Sequence, residues 1–119
     1  MNDFESMWKF PVKEGVDFVY CTHVHPLMQN RVQKILTELK KDRNVQKIVL
    51  FGSSLEFRCD SFSDLDLYLE KKDPGLSLEN EPESDCVVDL VMDLDHASSL
   101  YQEIDRTGLL LFDRENEHV

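Results

Sequence analysis

Two aspartates one residue apart, Asp64 and Asp66, lie a short way downstream of the turn Phe51-Gly52-Ser53-Ser54. Residues two apart on a strand point the same way, so if Leu65, Leu67 and Leu69 enter a core, Asp64 and Asp66 stand together on the opposite face. At about 4 Å and an effective dielectric near 20, their mutual repulsion is roughly 4 kcal/mol. Such a pair is a poor structural ornament and a good cage for a hard divalent cation. Asp89, the one charge in the apolar run Cys86-Val87-Val88-Asp89-Leu90-Val91, is the candidate third acid. Gly52 lets a phosphate approach the backbone closely. Ser53 adds a hydroxyl and an amide donor, and the turn continuing through Ser54 points free amides at negative charge. Metal ions, an aligned nucleophile and a donor cradle are what phosphoryl or nucleotidyl transfer needs. In this reading Asp64 and Asp66 bridge two magnesium ions, and Asp89 binds the ion that activates the acceptor and helps take its proton.

These residues need a sheet to position them. Lys47-Ile48-Val49-Leu50-Phe51 reads as a central strand that runs into Gly52, followed by a short helical segment. Strands are expected at Asp64 to Glu70 and at Cys86 to Met92. Ahead of them, Pro26 suits a first helical turn, and Met28, Val32, Ile35, Leu36 and Leu39 form the stripe of a helix running to about Lys41, ended by Asp42-Arg43-Asn44. Lys71 to Asp85 reads as an exposed, mobile connection whose acidic end is a solvated loop without the spacing of a calcium loop. Ser99 with Gln102 resembles a capping box, with a possible start nearer Asp95; Gly108 ends the helix, and Leu109 to Phe112 makes a last strand. Val16, Phe18 and Tyr20 alternate as in an edge strand or a packed arm.

Length and composition suit one soluble domain: 119 residues, 41% hydrophobic and 31% charged. We divide it into an arm or edge strand at 1–25, a domain at 26–113 and a tail at 114–119. A net charge of -11 argues against nucleic acid as a partner and favours bound cations. No apolar run is long enough to span a bilayer, and the start lacks a signal-peptide pattern, so the cytoplasm is the expected compartment. Cys21, Cys59 and Cys86 have no paired spacing and read as reduced, half-buried packers. His23 and His25 alternate but have no third ligand nearby, so a packed or exposed role is expected for them.

Phe51-Gly52-Ser53, Asp64-Leu65-Asp66 and Val88-Asp89-Leu90 resemble, in order and spacing, the pattern of the polymerase-beta nucleotidyltransferase superfamily, specifically its minimal single-domain kind. The resemblance is close over 49–95 and extends in outline over 27–112. It implies an α/β (α+β) fold, a single small domain with a mixed sheet and helices packed on one side of it. It also implies magnesium as cofactor and ATP or another nucleoside triphosphate as donor, with AMP passed to a hydroxyl of a protein or small molecule. Minimal members are often antitoxins that modify a helical HEPN-type partner, so the acceptor surface is expected from such a partner or from a second copy of the chain. This sequence departs from the family pattern at Ser54 and at Glu56-Phe57, where many members carry arginines and a glycine. Arg58, Lys71 and Lys72 are the candidate replacements. The alternative reading is a non-catalytic module of the same fold that binds nucleotide or a partner.

Overall fold

The computed structural model describes residues 9–52, 64–79 and 87–114. Helix α1 spans Pro26–Lys40, β1 Val45–Phe51, β2 Leu65–Lys71, β3 Val88–Met92, α2 Ser99–Thr107 and β4 Leu109–Asp113. The strands form one mixed sheet in the order β3-β2-β1-β4. β1 is antiparallel to both β2 and β4, while β2 and β3 are parallel. No helix among the described residues is long and apolar enough to cross a membrane.

Side-chain alternation divides the sheet into two faces. Ile48 and Leu50 of β1, Leu65, Leu67 and Leu69 of β2, and Leu109 of β4 join Val32, Ile35, Leu36 and Leu39 of α1 in the main core. On the other face Val49 and Tyr68 pack with Tyr101 and Ile104 of α2. The helices therefore lie on opposite faces, not on the one side that the resemblance implies. The strand order explains why. From β2 the chain crosses to β3 in one direction, and from β3 it crosses back past β2 and β1 to β4. Two right-handed parallel crossovers of opposite direction must use opposite faces of the sheet. Leu78 of the first crossover indeed packs on the α1 side.

The helix ends follow local chemistry. Pro26 occupies the first turn of α1, and His25 caps it by accepting from the Leu27 amide through Nδ1 at 3.2 Å. α2 is capped by Ser98, whose Oγ accepts from the Tyr101 amide at 3.2 Å, one residue before the expected Ser99. Asp95 holds the turn just ahead of it, accepting from the Ala97 amide. Gly108 ends α2 by allowing close approach rather than by a left-handed backbone: a Cβ there would stand 2.6 Å from Val49 Cγ1. The crossover after β2 is fastened over 72–79. Buried Asp42 accepts from the Glu79 amide, and Asn44 Nδ2 donates to the carbonyls of Asp73 and Leu76. These bonds tie this part of the connection to the turn between α1 and β1.

Residues 9–25 form a packed arm without strand pairing, fixed by two glutamines one turn apart on α1. Gln29, fully buried on the apolar stripe, accepts from the Lys13 amide and donates to the carbonyls of Pro11 and Val24. Gln33 repeats the device at the surface, accepting from the Asp17 amide and donating to the Gly15 carbonyl. Removing a buried partner leaves backbone groups unsatisfied at roughly 1–3 kcal/mol each. Gln29→Ala is therefore expected to lower the denaturant-measured unfolding free energy by about that amount or more. Gln33→Ala, whose freed groups can reach water, should cost clearly less; equal losses would show that the buried amide is not what fixes the arm.

Candidate functional site

The site forms where β1 ends and β2 begins. Phe51 is the cross-strand partner of Asp66, and Asp66 is in turn the partner of Asp89 across the parallel β2–β3 pair. Partners on adjacent strands share a face, so Asp66 and Asp89 stand side by side on the α2 face, about 5 Å apart in backbone spacing. Asp64 lies just before β2 and is exposed, as is Asp89; Asp66 is half-buried. Among the described residues, none of the three has a basic partner. Burial holds the Asp66 carboxyl above the ordinary value of 3.8, and the charges of Asp89 and Asp64 push it the same way.

Gly52 belongs to this arrangement for two reasons. Its backbone is left-handed, with φ +81°, and a Cβ on it would collide with Asp66 Oδ2 and lie 3.2 Å from Cγ. The bare glycine thus makes room for the carboxylate as well as for a ligand, a packing reason the sequence did not disclose.

The donor set suits a hard cation in kind: three carboxylates, one strained by like charge, with no competing ammonium or guanidinium among the described residues. They are not a finished cage, because no three His, Cys, Asp or Glu side chains among the described residues gather at metal-holding geometry. Ser53, Ser54 and Arg58 lie outside the described residues, as do Glu56, Phe57, Cys59 and Cys86. Lys71 does not replace the missing arginines. It sits at the far end of β2 from Asp66, with Nζ 3.6 Å from Asp93 Oδ2 and bonded to the Pro74 carbonyl. Lys72 follows it away from the site, its amide donating to the Asn44 carbonyl.

A second polar group on the same sheet face escaped sequence reasoning. Tyr68 Oη donates to Glu70 Oε2 at 2.7 Å, and Glu70 also pairs with His96 Nε2. Lys47, the cross-strand partner of Glu70, donates from Nζ to Tyr101 Oη at 2.9 Å. Burial opposes the Lys47 charge, but the Tyr101 hydroxyl and the acids Glu70 and Asp105 outweigh it and raise its pKa. Burial, then the Glu70 carboxylate, drives the Tyr68 phenol well above its usual range. The one signal was Lys47, a charge opening an apolar strand; nothing in the sequence ties it to His96.

A mixed four-stranded sheet with a glycine turn beside two aspartates in register is the architecture of a nucleotidyltransferase domain. Residues 33–117 match the family described as "Polymerase beta, Nucleotidyltransferase". The chain belongs to that family, and the match includes Gly52, Asp64, Asp66 and Asp89. No curated protein and no solved structure matches the chain significantly.

Two outcomes test this geometry. Gly52→Ala is expected to cost about 1–2 kcal/mol from the left-handed backbone alone. It should cost more when Asp66 is present than in an Asp66→Ala background, with a coupling of roughly 0.5–3 kcal/mol in a double-mutant cycle; strict additivity would refute the contact. The second outcome concerns pH. A carboxyl whose pKa is raised on folding favours the folded state fully below its unfolded pKa, and loses that contribution as pH rises through the folded value. The metal-free protein should therefore lose stability upward from about pH 3.8. Asp66→Asn should flatten that slope and raise Tm at neutral pH, measured by thermal unfolding in chelator. An unchanged Tm would mean that the acids are not in conflict.

Proposed function

We propose that the protein transfers a nucleoside monophosphate, AMP from ATP, to a hydroxyl of a protein acceptor and releases pyrophosphate. One observation carries the reading: Asp66 and Asp89 are held in register beside the Gly52 turn without a basic partner among the described residues. Like charges held together by a sheet call for a cation, and the cation in turn attracts a triphosphate. Asp64, Asp66 and Asp89 would hold magnesium, two ions in the full site. When bound, these ions would neutralise the triphosphate and the charge developing on the leaving pyrophosphate. The Gly52 backbone, with Ser53 and Ser54 after it, binds the phosphates. The acceptor oxygen attacks the α-phosphorus as the bond to the bridging oxygen of pyrophosphate breaks, and Asp89 takes the hydroxyl proton.

A helical HEPN-type partner is the proposed acceptor, which makes the protein the antitoxin of a pair. The alternative, a non-catalytic module of the same fold, draws support from Ser54, Glu56 and Phe57 standing where many members of the family carry arginines and a glycine, and from acids that form no finished cage among the described residues.

Incubation with ATP, magnesium and the helical product of a neighbouring reading frame should add the mass of AMP to that partner. Asp64→Asn with Asp66→Asn, or chelation, should reduce the rate at least about 100-fold, as expected when metal ligands are lost. Nucleotide binding without any mass increase under saturating conditions would select the non-catalytic alternative. Equal nucleotide binding by wild type and the double variant would remove the acids from the site.

A further inference from the structure

Beyond the carboxylates, the α2 face carries a ring held as if for stacking. His96 is bound along one edge by Glu70, which is itself fixed by the Tyr68 hydroxyl. One face of the imidazole lies on Tyr101, with ring centroids 4.1 Å apart and planes 13° from parallel. Tyr101 is immobilised in turn by Lys47 Nζ at 2.9 Å and by an edge-on contact with Tyr68 at 5.5 Å. Yet the His96 side chain is 62% exposed. With one face and one edge covered, the exposed surface includes the face turned away from Tyr101.

The surface between this ring and the acids is graded. Val91 and Leu94, both partly buried, pack against the Tyr68 and Tyr101 cluster. Val91 lies two residues beyond Asp89 on β3, and Leu94 two residues before His96. At about 3.3 Å per residue, the backbones of Asp66 and Glu70 are about 13 Å apart. Along that span the face offers carboxylates, then an apolar floor, then a flat ring. A metal-bound nucleotide is ordered the same way: phosphates, sugar, base.

We propose that His96 is the nucleobase platform of the nucleotide site, stacking the base on its open face while the triphosphate lies over Asp66 and Asp89. The proposal rests on the nucleotidyltransferase reading and adds the residue that positions the nucleoside. Every base has a π face, so stacking supplies affinity and orientation without selecting one base. The Tyr101 and Glu70 contacts fix the ring before binding, which reduces the ordering cost that a free side chain would incur.

Calorimetric titration with magnesium and either a non-hydrolysable ATP analogue or inorganic tripolyphosphate separates the possibilities. Wild type should bind the analogue more tightly than tripolyphosphate. His96→Ala should weaken the analogue roughly 5- to 150-fold, the range for loss of one base stack, and leave tripolyphosphate unchanged. His96→Phe, which keeps a flat ring, should restore most of the loss. Unchanged analogue binding by His96→Ala overturns the platform and leaves the nucleotidyltransferase reading standing. An equal loss of both ligands also overturns the platform, because the ring would then act on the phosphates or on the fold. A wild type that binds neither ligand overturns the nucleotidyltransferase reading and the platform with it.

Discussion

The period of two along β2 is the constraint on which the rest of the structure depends. Leu65, Leu67 and Leu69 enter the core beneath α1, and this alone commits Asp66, Tyr68 and Glu70 to the opposite face. A slip of one residue would bury a carboxylate among leucines and expose the leucines to water. β2 is also bonded on both sides, by β1 and β3, so it has no freedom to adjust. Asp66 is therefore fixed beside Asp89 whatever the electrostatic cost, and the apolar core supplies the free energy that keeps the two charges together.

Topology then decides how much of that face remains open. The return crossover brings α2 onto the acid face, but α2 has nine residues and is about 13 Å long. β2 has seven residues and extends about 23 Å. The shorter helix packs through Tyr101 and Ile104 over Val49 and Tyr68, with Tyr101 at the Lys47 end of β1. Its C-terminal end reaches Gly108 beside Val49 and Leu50 of β1, with Phe51 packed on the same cluster, while Asp66 on β2 stays half-buried and Asp89 on β3 exposed. Of the described elements, the helix that closes the core on this side runs into β4 at one edge of the sheet and leaves Asp89, on β3 at the other edge, exposed.

Much of this was legible in the residues. The three-and-four spacing from Met28 to Leu39 predicted α1, and the alternation around Asp64 and Asp66 predicted both β2 and its acid face. What could not be read depends on contacts distant in sequence. Gln29 looks like a polar interruption of an apolar stripe until the arm carbonyls of Pro11 and Val24 are placed beside it. Lys71 looked like a phosphate ligand because sequence distance does not reveal which end of a strand faces the site. Gly52 suggested phosphate, whereas its collision with Asp66 requires the register of β1 against β2. The placement of the two helices on opposite faces was likewise a property of strand order, which no local pattern encodes.

Asp66 and Glu70 show why the candidate site is at one end of β2 and not the other. Both are half-buried carboxylates on the same face of the same strand. Glu70 has a donor on each side: the Tyr68 hydroxyl and the His96 ring share its Oε2, and Lys47 lies across from it on β1. Its charge is consumed by the fold, and the network it anchors rigidifies the α2 end of the sheet. Among the described residues Asp66 has no basic neighbour: Phe51 lies across from it on β1, Asp89 across from it on β3 and Asp64 before it, while Gly52 keeps its carboxylate from being covered by a side chain. A buried charge without a counter-charge is a standing demand for a cation. The same strand thus carries a carboxylate paired within the fold and one without a basic partner among the described residues, and the difference is in their neighbours rather than in the residues themselves.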